Sequence, residues 1–253
     1  MGGLTSYRAL FTWLRPAVLI PTFLISPLFQ ILLFVYLGRT AHLASDRYFV
    51  IGNALQFAAL PCLSAMGNTI SDERYGNTLS LILVTPAPRL PLFLGRSLPV
   101  IANGFVCSAF AFVAAGLLLR ISVPLGAVLP LALAIVVTSI SCTGLGLVNA
   151  ALGLRVREVA VTSNVIFGLL LLCCGVNVPL DRLPHWMAVS SNYLPLTHGI
   201  AAARQLADGG HFRAVSGEIG MELLVGVVYM VAGFVLLQVF ERESRRRATL
   251  DRV

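Results

Sequence analysis

Long apolar segments alternate with short polar segments along the whole chain. A helix needs about 20 mostly apolar residues to cross the ~30 Å hydrocarbon core of a bilayer. Windows of that length are found at 17–37, 48–70, 97–119, 127–154, 159–179 and 219–240. The pattern predicts an all-α polytopic membrane protein with six transmembrane helices in a single domain, 1–253. The first window is too long for a signal-peptide core, so we expect it to remain as a membrane anchor.

The basic residues predict the orientation of these helices. All 18 of them are arginine, and an even number of spans places both termini on the same side. With the N-terminus inside, twelve arginines lie in cytoplasmic segments and six in outer segments. The positive-inside rule therefore favours an N-in, C-in topology.

Two regions outside the windows also carry apolar patterns. Before the first window, Tyr7, Leu10, Phe11 and Leu14 recur at helical spacing. They predict an interfacial amphipathic helix, or alternatively an extension of the first span. Between the fifth and sixth windows, two apolar pieces too short to span begin at prolines and end at a Gly-Gly pair. They predict re-entrant helices in the outer leaflet.

Composition restricts the class of protein. Hydrophobic residues make up 57% of the chain and charged residues 11%, against about 25% in soluble domains, and the mean hydropathy is +0.87. Because there is no lysine, a P-loop ATPase site is excluded. The dispersed arginines flank apolar windows, which favours lipid headgroups over nucleic acid as partners. The sequence contains no convincing catalytic or metal-binding arrangement, and the five cysteines are expected to pack as small apolar side chains.

Few ionisable residues lie inside the windows, which counts against an ion-coupled carrier. Glu222 is about one turn inside the sixth window, near the outer surface, where we expect it to reach water. The polar residues at depth are mostly amides and hydroxyls, and both interhelical hydrogen bonding and substrate contact are open for them. We expect Gly144, Gly146 and Ala150 to permit close helix packing.

Residues 71–96, SDERYGNTLSLILVTPAPRLPLFLGR, form a dense polar interruption between two apolar windows. The second helix is expected to continue to Tyr75 and to end at Gly76. Asn77 can then cap a short helix with Leu79 on its apolar face, before the prolines reverse the chain. This predicts a rigid cytoplasmic helix between the second and third spans, with an ordinary capped loop as the alternative.

Two motifs resemble those of a known family. ERYGNTLSLILVTPAPR is similar to the cytoplasmic signature of ABC-2 type permeases, although the turn reads GNT where the family has a Gly-Thr pair. GVNVPLDRLPHWMAVSSNYLPLTHGIAAARQLADGG is similar to the outer-loop pattern of the same family. The resemblance extends over essentially the whole chain.

The resemblance implies a non-catalytic permease subunit of an ATP-driven bacterial ABC exporter of the ABC-2, or type V, class. It would sit in the cell membrane with a second permease, identical or homologous, and two copies of a separate ATPase. ATP and magnesium would bind the ATPase, with no cofactor on this chain. The residues implied to contact the ATPase are Asp72, Glu73, Arg74, Tyr75, Gly76, Asn77, Thr78, Leu79, Arg155, Arg157 and Glu158.

The resemblance also assigns a substrate pathway to the second and fifth spans and a lid to the outer loop. The pathway residues are Asn53, Gln56, Ser163, Asn164 and Asn177, and the lid residues are Pro184, Trp186, Tyr193, Pro195 and Arg204. The family includes drug and antibiotic efflux permeases, so an amphipathic drug or a lipid-like molecule is the expected substrate. The alternatives are an ion-coupled secondary carrier and a membrane anchor or sensor without transport.

Overall fold

The structure, a computed structural model, describes residues 25–75, 89–121, 124–156 and 158–247. Within these ranges the chain forms α-helices and no strand. In chain order they are α1 Ser26–Ala41, α2 Asp46–Tyr75, α3 Arg89–Leu118, α4 Val128–Leu152, α5 Val159–Cys173, α6 His185–Ser191, α7 Thr197–Ala207 and α8 Phe212–Arg247. The prediction of an all-helical chain is confirmed for this part of the protein.

Four of the described helices are long and apolar enough to cross a bilayer. The apolar stretches are Asp46–Asn68 in α2, Gly95–Leu118 in α3, the whole of α4, and Phe212–Phe240 in α8. The described part of α1 has 16 residues and α5 has 15. The six-span count and the N-in, C-in orientation stay predictions. The amphipathic N-terminal helix and residues 76–88 lie outside the described residues.

Helices α2 and α4 form the centre of the bundle. In the most apolar stretch of each helix, 83% of the residues of α2 and 72% of those of α4 are buried. The corresponding shares are 33% for α3 and 22% for α8. Helix α2 packs against α1, α3, α4, α5 and α7, while α8 packs mainly on α4. The outward face of α8 carries exposed valines such as Val228 and Val231, as expected for a helix with one face in lipid.

Small residues allow the two central helices and α8 to approach closely. A Cβ atom added to Gly144 would lie 2.7 Å from the carbonyl oxygen of Gly226, which is backbone of α8. A Cβ atom added to Gly146 would overlap the carbonyl oxygen of Cys62 in α2. The predicted packing role of these two glycines is therefore confirmed. Interfaces made of small residues are typical of helix association in membranes.

Helix α5 is shorter than the fifth apolar window. The window extends to residue 179, whereas the helix ends at Cys173. Gly175 follows with a φ of +71°, a left-handed conformation that glycine adopts without a Cβ penalty. The chain from Cys174 to Asn177 is consequently non-helical, although its hydropathy continues that of the helix.

The loop between α5 and α8 contains two short helices, α6 and α7, as predicted. Helix α6 begins directly after Pro184, and α7 begins two residues after Pro195. With 7 and 11 residues they are too short to cross a bilayer. Gly209, with a φ of +91°, then turns the chain toward α8.

The connections lie at two opposite ends of the bundle. At one end, called the Arg47 end, Arg47 contacts Asp208 at 3.2 Å and Tyr48 contacts Gly175, so the start of α2 meets the α5–α8 loop. At the other end, called the Arg155 end, Arg155 after α4 pairs with Glu243 near the end of α8.

The packing at Gly146 generates a stability prediction. Gly146→Ala should destabilise the protein by about 1–3 kcal/mol, because its Cβ meets backbone of α2 that cannot move independently. The measurement is the thermal unfolding midpoint of the purified protein in detergent. Gly168→Ala is the matched control, since nothing lies within 4 Å of a Cβ at that helical position. Equal midpoints for the two variants would contradict the packing assignment.

Candidate functional site

Four amide side chains meet inside the bundle, near the Arg47 end. Gln30 of α1 donates from Nε2 to Asn53 Oδ1 at 3.1 Å and to Gln56 Oε1 at 3.4 Å. Asn53 donates from Nδ2 to Asn177 Oδ1 at 2.7 Å. We call these four residues the amide cluster. It joins α1, α2 and the non-helical segment after α5.

The amide cluster is closed to the outside in this conformation. Asn53 and Gln56 have no exposed surface, Asn177 is 8% exposed, and Gln30 is half-buried. Most of the polar atoms are paired, including Gln56 Nε2, which donates to the carbonyl of Phe167 at 3.4 Å. Asn177 Nδ2 is an exception, because it is buried without an acceptor among the described residues. An unpaired buried donor costs about 1–3 kcal/mol.

Arg204 of α7 lies beside this cluster. Its Nη2 donates to the carbonyls of Tyr48 at 3.2 Å and Val176 at 3.1 Å, and its guanidinium carbon lies 3.4 Å from the centre of the Tyr48 ring. Burial lowers the pKa of Arg204 to about 10, so the side chain stays charged at neutral pH. Within the described part of the chain it pairs with no carboxylate, and its Nε has no acceptor.

A glycine makes this arrangement sterically possible. A Cβ atom on Gly52 of α2 would lie 2.5 Å from the carbonyl oxygen of Val176 and 2.7 Å from Arg204 Nη2. The Tyr48 hydroxyl donates to the carbonyl of Gly175 at 2.8 Å. Both carbonyls of the non-helical turn, at residues 175 and 176, are therefore satisfied by side chains rather than by a helix.

The position of Glu222 differs from the expectation. It was expected to reach water, but its side chain has no exposed surface. Its Oε1 accepts a hydrogen bond from the backbone N–H of Leu196 at 2.7 Å, and its Oε2 accepts from Gly199 at 3.0 Å. These are unpaired N–H groups at the start of α7, where a negative charge is favoured. Glu222 of α8 thus caps α7.

A second polar contact joins the same two helices. His198 Nδ1 lies 2.7 Å from Glu218 Oε2, and its Nε2 lies 3.0 Å from the carbonyl oxygen of Asn192. Leu196, just before α7, has a φ of +86°, which is unfavourable for a branched side chain. The hydrogen bond that the Leu196 N–H donates to Glu222 holds the backbone in this conformation.

The remaining predicted pathway residues do not join the amide cluster. Ser163 of α5 accepts a hydrogen bond from Asn149 of α4 at 2.7 Å and donates to Val159 at 3.0 Å, so it contributes to a separate contact between two helices. Asn164, one residue later, is exposed on the outward face of α5. The structure therefore brings together Asn53, Gln56 and Asn177 and separates Ser163 and Asn164 from them.

The predicted ATPase-contact residues are described in part. Asp72 to Tyr75 lie in the last turn of α2, while Gly76 to Leu79 and Arg157 lie outside the described residues. Arg155 forms an ion pair with Glu243, and its guanidinium carbon lies 4.2 Å from the centre of the Phe240 ring. Glu158 is exposed at the start of α5. Arg155 and Glu158 thus share the Arg155 end.

The predicted lid residues divide into two groups. Trp186 and Tyr193 are 69% and 71% exposed, as suits aromatic anchors at a membrane interface. Pro184 and Pro195 lie ahead of the two short helices. Arg204 instead points inward and binds the start of α2.

Three residues contribute to these polar contacts without having been assigned a role from the sequence, namely Gln30, Tyr48 and Glu222. Gln30 is the one amide side chain in the window 17–37, and that is the signal that marks it. Tyr48 is the first residue of the second window, a position typical of an aromatic side chain at the membrane interface. Glu222 stands out in the sequence as a carboxylate inside an apolar window. Its partners are backbone N–H groups, which cannot be identified from residue types.

Comparison with known proteins identifies a family. The model of the ABC-2 type transporter family matches residues 4–207. This range contains the amide cluster, α7 and most of the bundle. No curated protein matches the chain.

The capping role of Glu222 generates a prediction. In Glu222→Gln, one N–H of α7 loses a carboxylate acceptor and faces an amide NH₂ group, so we expect a loss of about 1–3 kcal/mol. Hydrogen exchange of residues 196–204, measured by mass spectrometry, should become faster. Glu218→Gln is the control, because that carboxylate contacts the His198 side chain rather than backbone of α7. Unchanged protection in Glu222→Gln would show that the cap does not hold α7.

Proposed function

The chain belongs to the ABC-2 type transporter family, and we propose that it is the membrane permease subunit of an ATP-driven exporter. The family match over residues 4–207 carries this proposal, and four long apolar helices agree with it. Permeases of this family generally work with an ATPase subunit. Because these 253 residues contain no lysine, they do not themselves supply a P-loop for ATP.

The proposed complex contains two ATPase subunits and two permeases in a bacterial cell membrane. The permeases are identical or homologous, and each has six spans with both termini inside. In this arrangement the Arg155 end faces the cytoplasm, and residues 73–84 contact the ATPase. At the Arg155 end, the ion pair between Arg155 and Glu243 joins the connection after α4 to α8.

The amide cluster is proposed as part of the substrate pathway. Two buried donors, Asn177 Nδ2 and Arg204 Nε, lack acceptors among the described residues, and Arg204 has no carboxylate partner there. An oxygen-rich group on a substrate would satisfy them. This supports an amphipathic substrate that carries hydrogen-bond acceptors, such as a drug, an antibiotic or a lipid-like molecule.

The exporter proposal predicts that transport depends on ATP. In vesicles that contain the permease with its ATPase, ATP depletion should abolish export even when the proton gradient is held constant. Substrate should also stimulate ATP hydrolysis. Replacement of residues 79–83 by a Gly-Ser sequence should leave membrane insertion unchanged but uncouple hydrolysis from export.

Two outcomes would contradict this proposal. Export that continues without ATP would indicate an ion-coupled carrier. A complex that hydrolyses ATP without any response to candidate substrates, and exports none of them, would indicate a membrane anchor. Normal export by the Gly-Ser variant would contradict a mechanical role of residues 79–83.

The pathway role of the amide cluster predicts a defect in substrate recognition. Asn177→Asp keeps Oδ1 for Asn53 and replaces the unpaired NH₂ group by a carboxylate oxygen. Arg204, which binds the neighbouring carbonyl of Val176, supplies a counter-charge, so the fold should be retained. We expect the substrate concentration for half-maximal export to rise about tenfold, the effect of one lost hydrogen bond to substrate. Asn103→Asp in α3 is the control, because Asn103 lies outside the cluster. Equal changes in the two variants would argue against direct substrate contact.

A further inference from the structure

An apolar groove runs between α3 and α4 on the side of the bundle. Its volume is about 630 Å³, and it is open laterally rather than enclosed. The walls are aromatic and aliphatic, from Phe105, Phe112 and Leu117 of α3 and from Val128, Leu131 and Ile135 of α4. The groove does not include any residue of the amide cluster.

The length of the groove matches one leaflet of a bilayer. Phe105 and Leu117 are twelve positions apart in α3, which corresponds to about 18 Å at 1.5 Å per residue. Half of the hydrocarbon core is about 15 Å thick. A single extended acyl chain therefore fits along the groove from the membrane surface to the midplane.

The groove ends at a charged residue at the Arg47 end. Arg120 follows the last turn of α3, lines the groove and has an exposed side chain. Among the described residues it forms no ion pair. An arginine at the end of an apolar helix positions its guanidinium at headgroup depth. There it can form charge-assisted hydrogen bonds with a phosphate group.

We propose that this groove is a binding site for an anionic phospholipid. One acyl chain lies along α3 between Phe105 and Leu117, and the phosphate binds the guanidinium of Arg120. The charge of Arg120 is complementary to the phosphate, and the apolar groove, which is as long as one leaflet, is complementary to the acyl chain. The site is separate from the proposed export pathway and does not depend on it.

Gly116 provides a way to fill the groove without disturbing the backbone. A Cβ atom at this position has its nearest neighbour, the carbonyl oxygen of Ile121, at 3.9 Å, an ordinary van der Waals distance. A leucine there would project into the space that the acyl chain occupies. Gly220 of α8 is exposed with nothing within 4 Å of its Cβ position, so Gly220→Leu is the matched control.

The test measures lipid retention by the full chain. The protein is reconstituted with equal amounts of phosphatidylglycerol and phosphatidylcholine, extracted in mild detergent and examined by native mass spectrometry. The wild-type chain should retain phosphatidylglycerol in preference to phosphatidylcholine. Arg120→Gln should lower the retained phosphatidylglycerol about tenfold, the effect of one charge-assisted bond. Arg213 is another exposed arginine at the Arg47 end, and Arg213→Gln should leave the amount of retained phosphatidylglycerol unchanged.

The groove variants complete the test. Gly116→Leu should abolish retention while Gly220→Leu leaves it unchanged, with thermal unfolding confirming that each variant is folded. Equal retention of the two lipids, or equal losses in Arg120→Gln and Arg213→Gln, would overturn the proposal. So would loss in Gly116→Leu without loss in Arg120→Gln, since that indicates a neutral lipid. Cross-linking of Leu117→Cys between two copies would assign the groove to a subunit contact instead.

Discussion

Non-helical backbone inside an apolar bundle must find its hydrogen bonds within the protein, and the segment after α5 depends on this constraint. Helix α5 ends before its apolar window does, which frees the polar groups of Gly175, Val176 and Asn177. Tyr48 satisfies the first carbonyl, Arg204 the second, and Asn53 bonds the Asn177 side chain. Each partner belongs to α2 or α7. The constraint therefore determines how the α5–α8 loop is attached to the centre of the bundle.

The same constraint operates at the start of α7. Leu196 adopts a left-handed conformation, and the carboxylate of Glu222 accepts from its backbone N–H and from that of Gly199. Helix α7 is thus bound to α8 at its first turn and to α2 through Arg204 in its last turn. Because α7 has hydrogen bonds both to the central helix α2 and to the peripheral helix α8, it cannot move independently of either. Any displacement between α2 and α8 must change the position of α7.

Most of the described helices and the family could be predicted from the sequence. The contacts between the helices could not. Apolar length and proline positions are local signals, so the long helices and the two short helices α6 and α7 could be predicted. The end of α5 was missed because the apolar window continues to residue 179, although Gly175, which follows the helix, is a residue type typical of helix ends. The pairing of Gln30 with Asn53 depends on the packing of α1 against α2, and the partners of Glu222 are backbone groups. Contacts of these kinds have no counterpart in hydropathy or spacing.

The closed state of the amide cluster limits how the proposed substrate pathway could open. Two elements cover Asn53 and Gln56, namely α1 through Gln30 and the segment at Asn177. Interhelical hydrogen bonds in membrane proteins contribute about 0.6 kcal/mol each on average, so separation of Gln30 from its two partners costs little. Displacement of the other segment breaks three hydrogen bonds, those of Tyr48 to Gly175, Arg204 to Val176 and Asn53 to Asn177, and one of them has a charged donor. Helix α1 has an exposed outer face, with Phe29 71% and Leu33 63% exposed. Opening on the α1 side therefore requires the smaller loss of polar interactions, so the proposed pathway would open toward α1.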